Sequence, residues 1–186
     1  MQKKTIAPGF ALETERLLLR ELTRSDLDAL HAVLGDVETM QYYAHPHSRE
    51  ETQRWIEWSL DNYARLGHGL WAMTLKDTGE LIGDCGLTIQ YVDGAPFVEV
   101  GWHTHRDHWN KGYATEGGRA SRDWAFENLT IPFLISIIRP ENVPSWRVAE
   151  KLGLTISRTT FRGPDNAWEH RVYRITRDEW EKLRAL

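Results

Sequence analysis

The chain has 186 residues, 41% of them hydrophobic and nine of them tryptophan, which suits one domain with a substantial core. Its 23 basic and 27 acidic residues leave a formal charge of −4, which argues against non-specific binding to nucleic acid or to an anionic membrane. The one cysteine, Cys85, excludes an internal disulfide and fits a reducing compartment, so a cytoplasmic protein is expected.

The N-terminal stretch MQKKTIAPGFALETERLLL has lysines but no long apolar region, so no signal peptide is expected. No apolar run is long enough to span a bilayer. RLLLREL, Arg16 to Leu22, alternates as a strand does, and SDLDALHAVL after Thr23 reads as a helix with Ser25 and Asp26 as capping candidates. DVETMQYYAHPH is a loop or irregular helix that Pro46 ends. From Ser48 the pattern is an amphipathic helix. Ser48 and Glu51 form a capping box, Trp55, Ile56, Leu60 and Tyr63 share a face, and Gly67 stops it. LWAMTL, DTGE and LIGDCGLTI spell a hairpin, and VDGAP is the next turn.

A strand from Phe97 to Thr104 follows, then the stretch HWNKGYATEGGRA, which opens a helix running to about Glu127. PFLISIIR is apolar throughout, as a buried strand is. NVPSWRVAEKLG is a helix closed by Gly153, LTISRTTF and AWEHRVYRI form a last antiparallel pair, and TRDEWEKLRAL is a short terminal helix. The expected order is β, α, α, β, β, β, α, β, α, β, β before that helix, with no repeats or linkers: a single domain over residues 1–186. In its middle, strand, helix and strand form a βαβ unit whose strands run parallel.

The turn between that strand and helix is a place for an anion. A helix start offers unpaired N–H groups and partial positive charge, and it lies at the carboxyl end of a strand, where open sheets bind ligands. The Walker and dinucleotide glycine patterns are both absent. The other reading of these residues is an ordinary Gly/Asn turn.

What stands here is Trp109-Asn110-Lys111-Gly112-Tyr113-Ala114. It resembles the pyrophosphate loop of the GNAT acetyltransferase superfamily, in which Gln or Arg, two residues, Gly, one residue and Gly or Ala cradle coenzyme A. Trp109 departs from the Gln/Arg position, and Asn110 stands where Gly is usual. The order and spacing of EVGWHTHRDHWNKGYATE, ENVPSWRVAEKLGL and VYRITRDEW resemble the ribosomal-protein N-terminal acetyltransferase branch over nearly the whole chain. The resemblance implies an α/β (α+β) fold with a mixed, mostly antiparallel, splayed sheet flanked by helices. It also implies acetyl-CoA as co-substrate and an amine acceptor, a protein N-terminus or a small molecule, in a monomer or homodimer.

On this reading the amides of Asn110, Lys111, Gly112, Tyr113, Ala114 and Thr115 hold the pyrophosphate, and Lys111 adds charge. The pantetheine arm pairs with the backbone of Trp102, His103 and Thr104 where the parallel strands splay. Asn142 caps the next helix or contacts the cofactor. Ser145 is the candidate general acid, or only a group that positions the thiol. Arg147 and Lys151 reach the nucleotide phosphates or are solvated surface. Glu99, which shares a strand face with Phe97, Gly101 and His103, is a general base or half of a cross-sheet ion pair. Tyr42, Tyr43 and Trp71 line the acceptor cleft or pack the core. No metal is expected, although His103, His105 and His108 have a spacing that suits zinc; one of them is alternatively a proton relay. The other functions open to this sequence are acetylation of a small amine such as a polyamine or an antibiotic, and a non-catalytic acyl-CoA-binding module, which binds without turnover.

Overall fold

A computed structural model of the chain describes residues 11–185. The signal-peptide reading therefore falls largely outside the described residues. One eight-stranded sheet runs in the order β1 (Ala11–Glu13), β2 (Leu17–Arg20), β3 (Leu70–Leu75), β4 (Leu81–Val92), β5 (Ala95–Thr104), β6 (Phe133–Ile138), β8 (Trp168–Thr176) and β7 (Thr155–Arg162). The helices are α1 (Leu27–Leu34), α2 (Arg49–Leu66), α3 (Tyr113–Asn128), α4 (Val143–Lys151) and α5 (Arg177–Arg184). Every neighbouring pair is antiparallel except β5 and β6. The expected mixed, mostly antiparallel sheet is present. Among the described residues no helix is long and apolar enough to cross a membrane.

Local chemistry explains the boundaries. Ser48 accepts the Glu51 N–H at 3.2 Å and donates its own N–H to Glu51 at 2.8 Å, and left-handed Gly67 ends α2. At the first helix the cap is displaced. Thr23 and Asp26 form the box around a 3₁₀ turn, so α1 begins only at Leu27. Asp93 and Gly94 both have positive φ, 51° and 79°, the two-residue turn that matches strand twist. That tight turn lets β4 and β5 run further than expected, to Val92 and from Ala95. The three-residue β1 was not anticipated; it is too short for a period to show.

The sheet is covered on both faces. Trp71, Met73, Cys85, Leu87, Val100 and Tyr173 pack under Trp124 and Phe126 of α3 and Trp180 of α5. Ala72, on the opposite face, packs with Leu30, Val33 and Leu34 of α1 and Ile56 of α2.

β4 and β5 approach closely where Gly83 pairs with Thr104. A Cβ on Gly83 would collide with the His103 carbonyl oxygen. Gly83→Ala is therefore expected to cost about 1–3 kcal/mol, lowering the melting temperature by roughly 2–10 °C. A thermal melt with no shift would contradict this packing.

Candidate active site

The parallel pair β5–β6 is joined at a single register position, Glu99 opposite Ile135. Beyond it β5 continues to pair with β4, Trp102 opposite Cys85 and His103 opposite Asp84, but has no partner on the β6 side. The strands part, and the Glu99 carboxylate helps hold the gap. One oxygen accepts the Ile137 N–H at 2.8 Å and the other accepts the Thr88 hydroxyl at 3.1 Å. The expected alternative for Glu99, an ion pair across the sheet, is replaced by these two neutral donors. Burial pushes the Glu99 carboxyl above the usual carboxylate range, and the Ile137 and Thr88 hydrogen bonds offset only part of that rise.

Past the gap lies the loop. Asn110 and Gly112 both adopt left-handed backbone, with φ of 59° and 85°, and Gly112 is the N-cap of α3. Successive amides in such a turn form an anion-binding concavity at the positive end of the helix. Two contacts hold it in place. The Trp109 indole N–H donates to the Thr104 carbonyl at 2.7 Å and pins the loop to the end of β5. Arg16, in the turn just before β2, donates to the Lys111 carbonyl at 2.9 Å and to Glu116 in the first turn of α3 at 2.7 Å. Its guanidinium also lies over the Tyr113 ring, 4.6 Å from the centroid.

Two cavities open from the gap. The larger, about 390 Å³, is a trough lined by Trp102, His103, Thr104, Asn110, Gly112, Tyr113, Ala114, Thr115, Asn142, Ser145, Arg147 and Lys151, among others. The smaller, about 250 Å³, lies over Thr88, Glu99, Gly101 and Ile137. Tyr42, Tyr43, Trp102, His103, Asn142 and Ser145 line both, so the two spaces share a wall. Asn142 accepts the Ser145 N–H at 3.2 Å as the N-cap of α4, which fixes the serine at the helix start.

One expectation needs correction. Trp71 does not line the acceptor cleft. It is 1% exposed and packs edge-on against Trp124, because β3 is buried on both faces. The Lys111 side chain is exposed at the rim and is not among the residues lining the trough, while its backbone carbonyl is held by Arg16.

The histidines divide. His103 Nδ1 lies 2.7 Å from the fully buried Asp84 carboxylate, whose other oxygen accepts the Trp55 indole N–H at 2.8 Å. A carboxylate only accepts, so Nδ1 carries the proton. Burial alone would lower the His103 pKa, but Asp84 outweighs it and the net shift is upward. His105 lies past the end of β5, and His108 faces Glu80 at 3.3 Å. Among the described residues no group of three or more His, Cys, Asp or Glu side chains is placed to hold a metal ion. Cys85 is buried, with its thiol pushed up to about 12 by desolvation, which leaves it no nucleophilic role.

The geometry fits a long anionic thioester: a strand edge for an amide-bearing arm, and a left-handed amide nest at its end for a phosphate group. The chain belongs to the GNAT acetyltransferase family. Residues 16–155 match the model described as acetyltransferase (GNAT) domain. It is similar to the Bacillus subtilis protein YkkB, 33% identical with 87% of this chain and 96% of that one covered. It is also similar to an FsC-acetyl coenzyme A-N(2)-transacetylase of Aspergillus fumigatus, 34% identical over 96% of this chain and 81% of that one. Among solved structures it is similar to an acetyltransferase from Agrobacterium tumefaciens, with TM-score 0.77, 31% identity, and 94% and 99% of the two chains covered. The protein is thus an acetyl-CoA-dependent N-acetyltransferase: it moves an acetyl group from acetyl-CoA to an amine.

Proposed function

We propose that the acceptor is an α-amine, above all the N-terminus of a protein or peptide, and that it attacks the thioester directly in a ternary complex. The carrying observation is the shared wall, which puts Glu99 in one cavity and Ser145 on the border with the other. Acetyl-CoA supplies the activated acyl group from the trough. The loop amides from Asn110 to Thr115 bind its pyrophosphate, with Arg147 and Lys151 on α4 near the nucleotide. The unpaired edge of β5 at Trp102 to Thr104 holds the arm and the thioester carbonyl. Glu99 takes up the proton that the amine releases as nitrogen bonds to the acetyl carbon. Ser145 donates toward the sulfur as the carbon–sulfur bond breaks. Tyr42 and Tyr43 flank the acceptor.

The α-amine fits the strength of this base. Its pKa of about 7.7–8.0 leaves roughly a tenth of it neutral at pH 7, against about one lysine amine in a few thousand at 10.4. A carboxylate, even one shifted upward by burial, is a weak base for a lysine ammonium. The motifs shared with the ribosomal-protein N-terminal acetyltransferase branch support the same acceptor. The test is a competition between peptides with a free N-terminus and matched peptides whose only amine is a lysine side chain. We expect the α-amine to be favoured by at least about tenfold in kcat/KM, from its larger neutral fraction; preference for lysine or polyamines would overturn the assignment. The similarity to the Aspergillus fumigatus transacetylase favours a second reading, a small-molecule amine, which the same screen reads out.

A further inference from the structure

The far wall of the smaller cavity carries two cations that the transfer chemistry does not use. Arg139 follows β6 and Arg162 ends β7, and both line the cavity that holds Glu99. The sheet register brings them together. Ile138 pairs with Arg171 and Arg162 pairs with Trp168, so both arginines flank the first residues of β8. His170, between them, is held below its ordinary value by burial first, and the positive charges of Arg162 and Arg139 push it the same way.

Neither arginine donates a hydrogen bond to a carboxylate, although the Arg162 charge acts on Glu99 across the cavity and Arg139 pairs with Glu141 at the rim. Arg162 donates to the Gln90 side-chain oxygen at 2.9 Å and to the Tyr91 carbonyl at 2.8 Å, both neutral. Arg139 donates to the Tyr42 carbonyl at 3.4 Å, and its buried Nε makes no hydrogen bond but pairs electrostatically with the exposed Glu141 carboxylate at 3.5 Å. The Trp168 ring, 5.4 Å from the Arg139 guanidinium, holds that side chain against the cavity wall. Half-buried guanidiniums in a concave site raise its positive potential, and a planar fork with free N–H groups matches a carboxylate.

We propose that the acceptor carries a carboxylate besides its amine, and that Arg139 and Arg162 bind it while the amine faces Glu99. This rests on reading the smaller cavity as the acceptor site. The carboxylate has two possible sources: the acceptor's own terminal carboxylate in a small amino acid or dipeptide, or an acidic side chain beside the N-terminus of a longer peptide.

Two pairs of acceptors separate these sources. One is a dipeptide and its C-terminal amide; the other is a tripeptide amide with glutamate in second place and its glutamine twin. In at least one pair the acidic member should exceed its neutral twin by about 10–100-fold in kcat/KM, the range of a charge-assisted hydrogen bond. The pair that shows the ratio identifies the source. Arg139→Gln and Arg162→Gln should each remove most of it. The comparison of twins uses the unaltered protein, so it holds even if a variant folds poorly. Twins used within twofold of each other in both pairs, or a ratio that survives both substitutions, would overturn the proposal. If no α-amine is acetylated, titrating the dipeptide and its amide into the protein with bound CoA reads the same ratio in Kd. The α-amine reading then fails while the carboxylate site is still judged.

Discussion

If Glu99 is the general base, Glu99→Gln should lower kcat at pH 7, by up to about a hundredfold, and should leave the protein at least as stable as before. Glutamine is isosteric with glutamate. Its oxygen can still accept the Ile137 N–H, and its amide can donate to Thr88, which now accepts instead of donating. What disappears is a desolvated charge. The sign of the stability effect follows from the raised carboxyl pKa. Between the unfolded and the folded pKa of Glu99 the native state binds more protons than the unfolded chain, so wild-type stability falls as pH rises through that window and stays lower above it. The variant lacks this loss. The melting temperature of Glu99→Gln relative to wild type should therefore climb from acid pH up to the folded pKa and then level off. Raising the pH should also restore part of the lost rate, because more amine is already neutral. Undiminished kcat would remove Glu99 from the chemistry. A large drop in stability would mean that its carboxylate charge, and not its hydrogen bonds, holds the strand gap.

On the proposed pyrophosphate site, Gly112→Asp should abolish measurable CoA binding, a loss of at least about a hundredfold in Kd, or roughly 2.7 kcal/mol. Three effects add. The residue sits at φ 85°, where a side chain is strained. A Cβ there lies 3.3 Å from the Arg16 guanidinium and crowds the contact that fixes the loop. The new carboxylate also stands at the helix N-terminus, where the phosphate charge is bound. Gly112→Ala separates these causes, since it keeps the strain and omits the charge, and should lose less. Calorimetric titration with CoA measures both variants. Unchanged affinity in Gly112→Asp would show that the pyrophosphate binds elsewhere. In the wild type, acetyl-CoA should raise the melting temperature as any ligand of the native state does.

These groups differ in how far the sequence announces them. The loop was legible because its signal is local: Asn110 and Gly112 are the residue types that accept left-handed backbone, and they stand between a strand and a helix. The βαβ unit and the capping box of α2 were legible for the same reason. Asp84 was not, because its role depends on the register that sets it opposite His103, and on Trp55 arriving from α2 on the other side. Arg16 lies 100 residues from Glu116 in the chain, and no period or spacing links them. The same holds for Arg139 and Arg162, which converge only through β8. Trp71 carried two readings, cleft lining or core packing, and only the burial of its strand on both faces decides for the core.

The Arg16 contacts make the N-terminal hairpin part of the anion site's thermodynamics. Arg16 belongs to the turn between β1 and β2, where Thr14 and the Arg16 N–H also bond to Glu116. If that hairpin frays, the loop loses its clamp, and the apparent affinity for CoA falls by the fraction of molecules that still hold it. Linkage is reciprocal, so an occupied trough in turn suppresses fraying. On that reading the hairpin sets a share of the affinity, and a tag or fusion that disturbs it should weaken CoA binding.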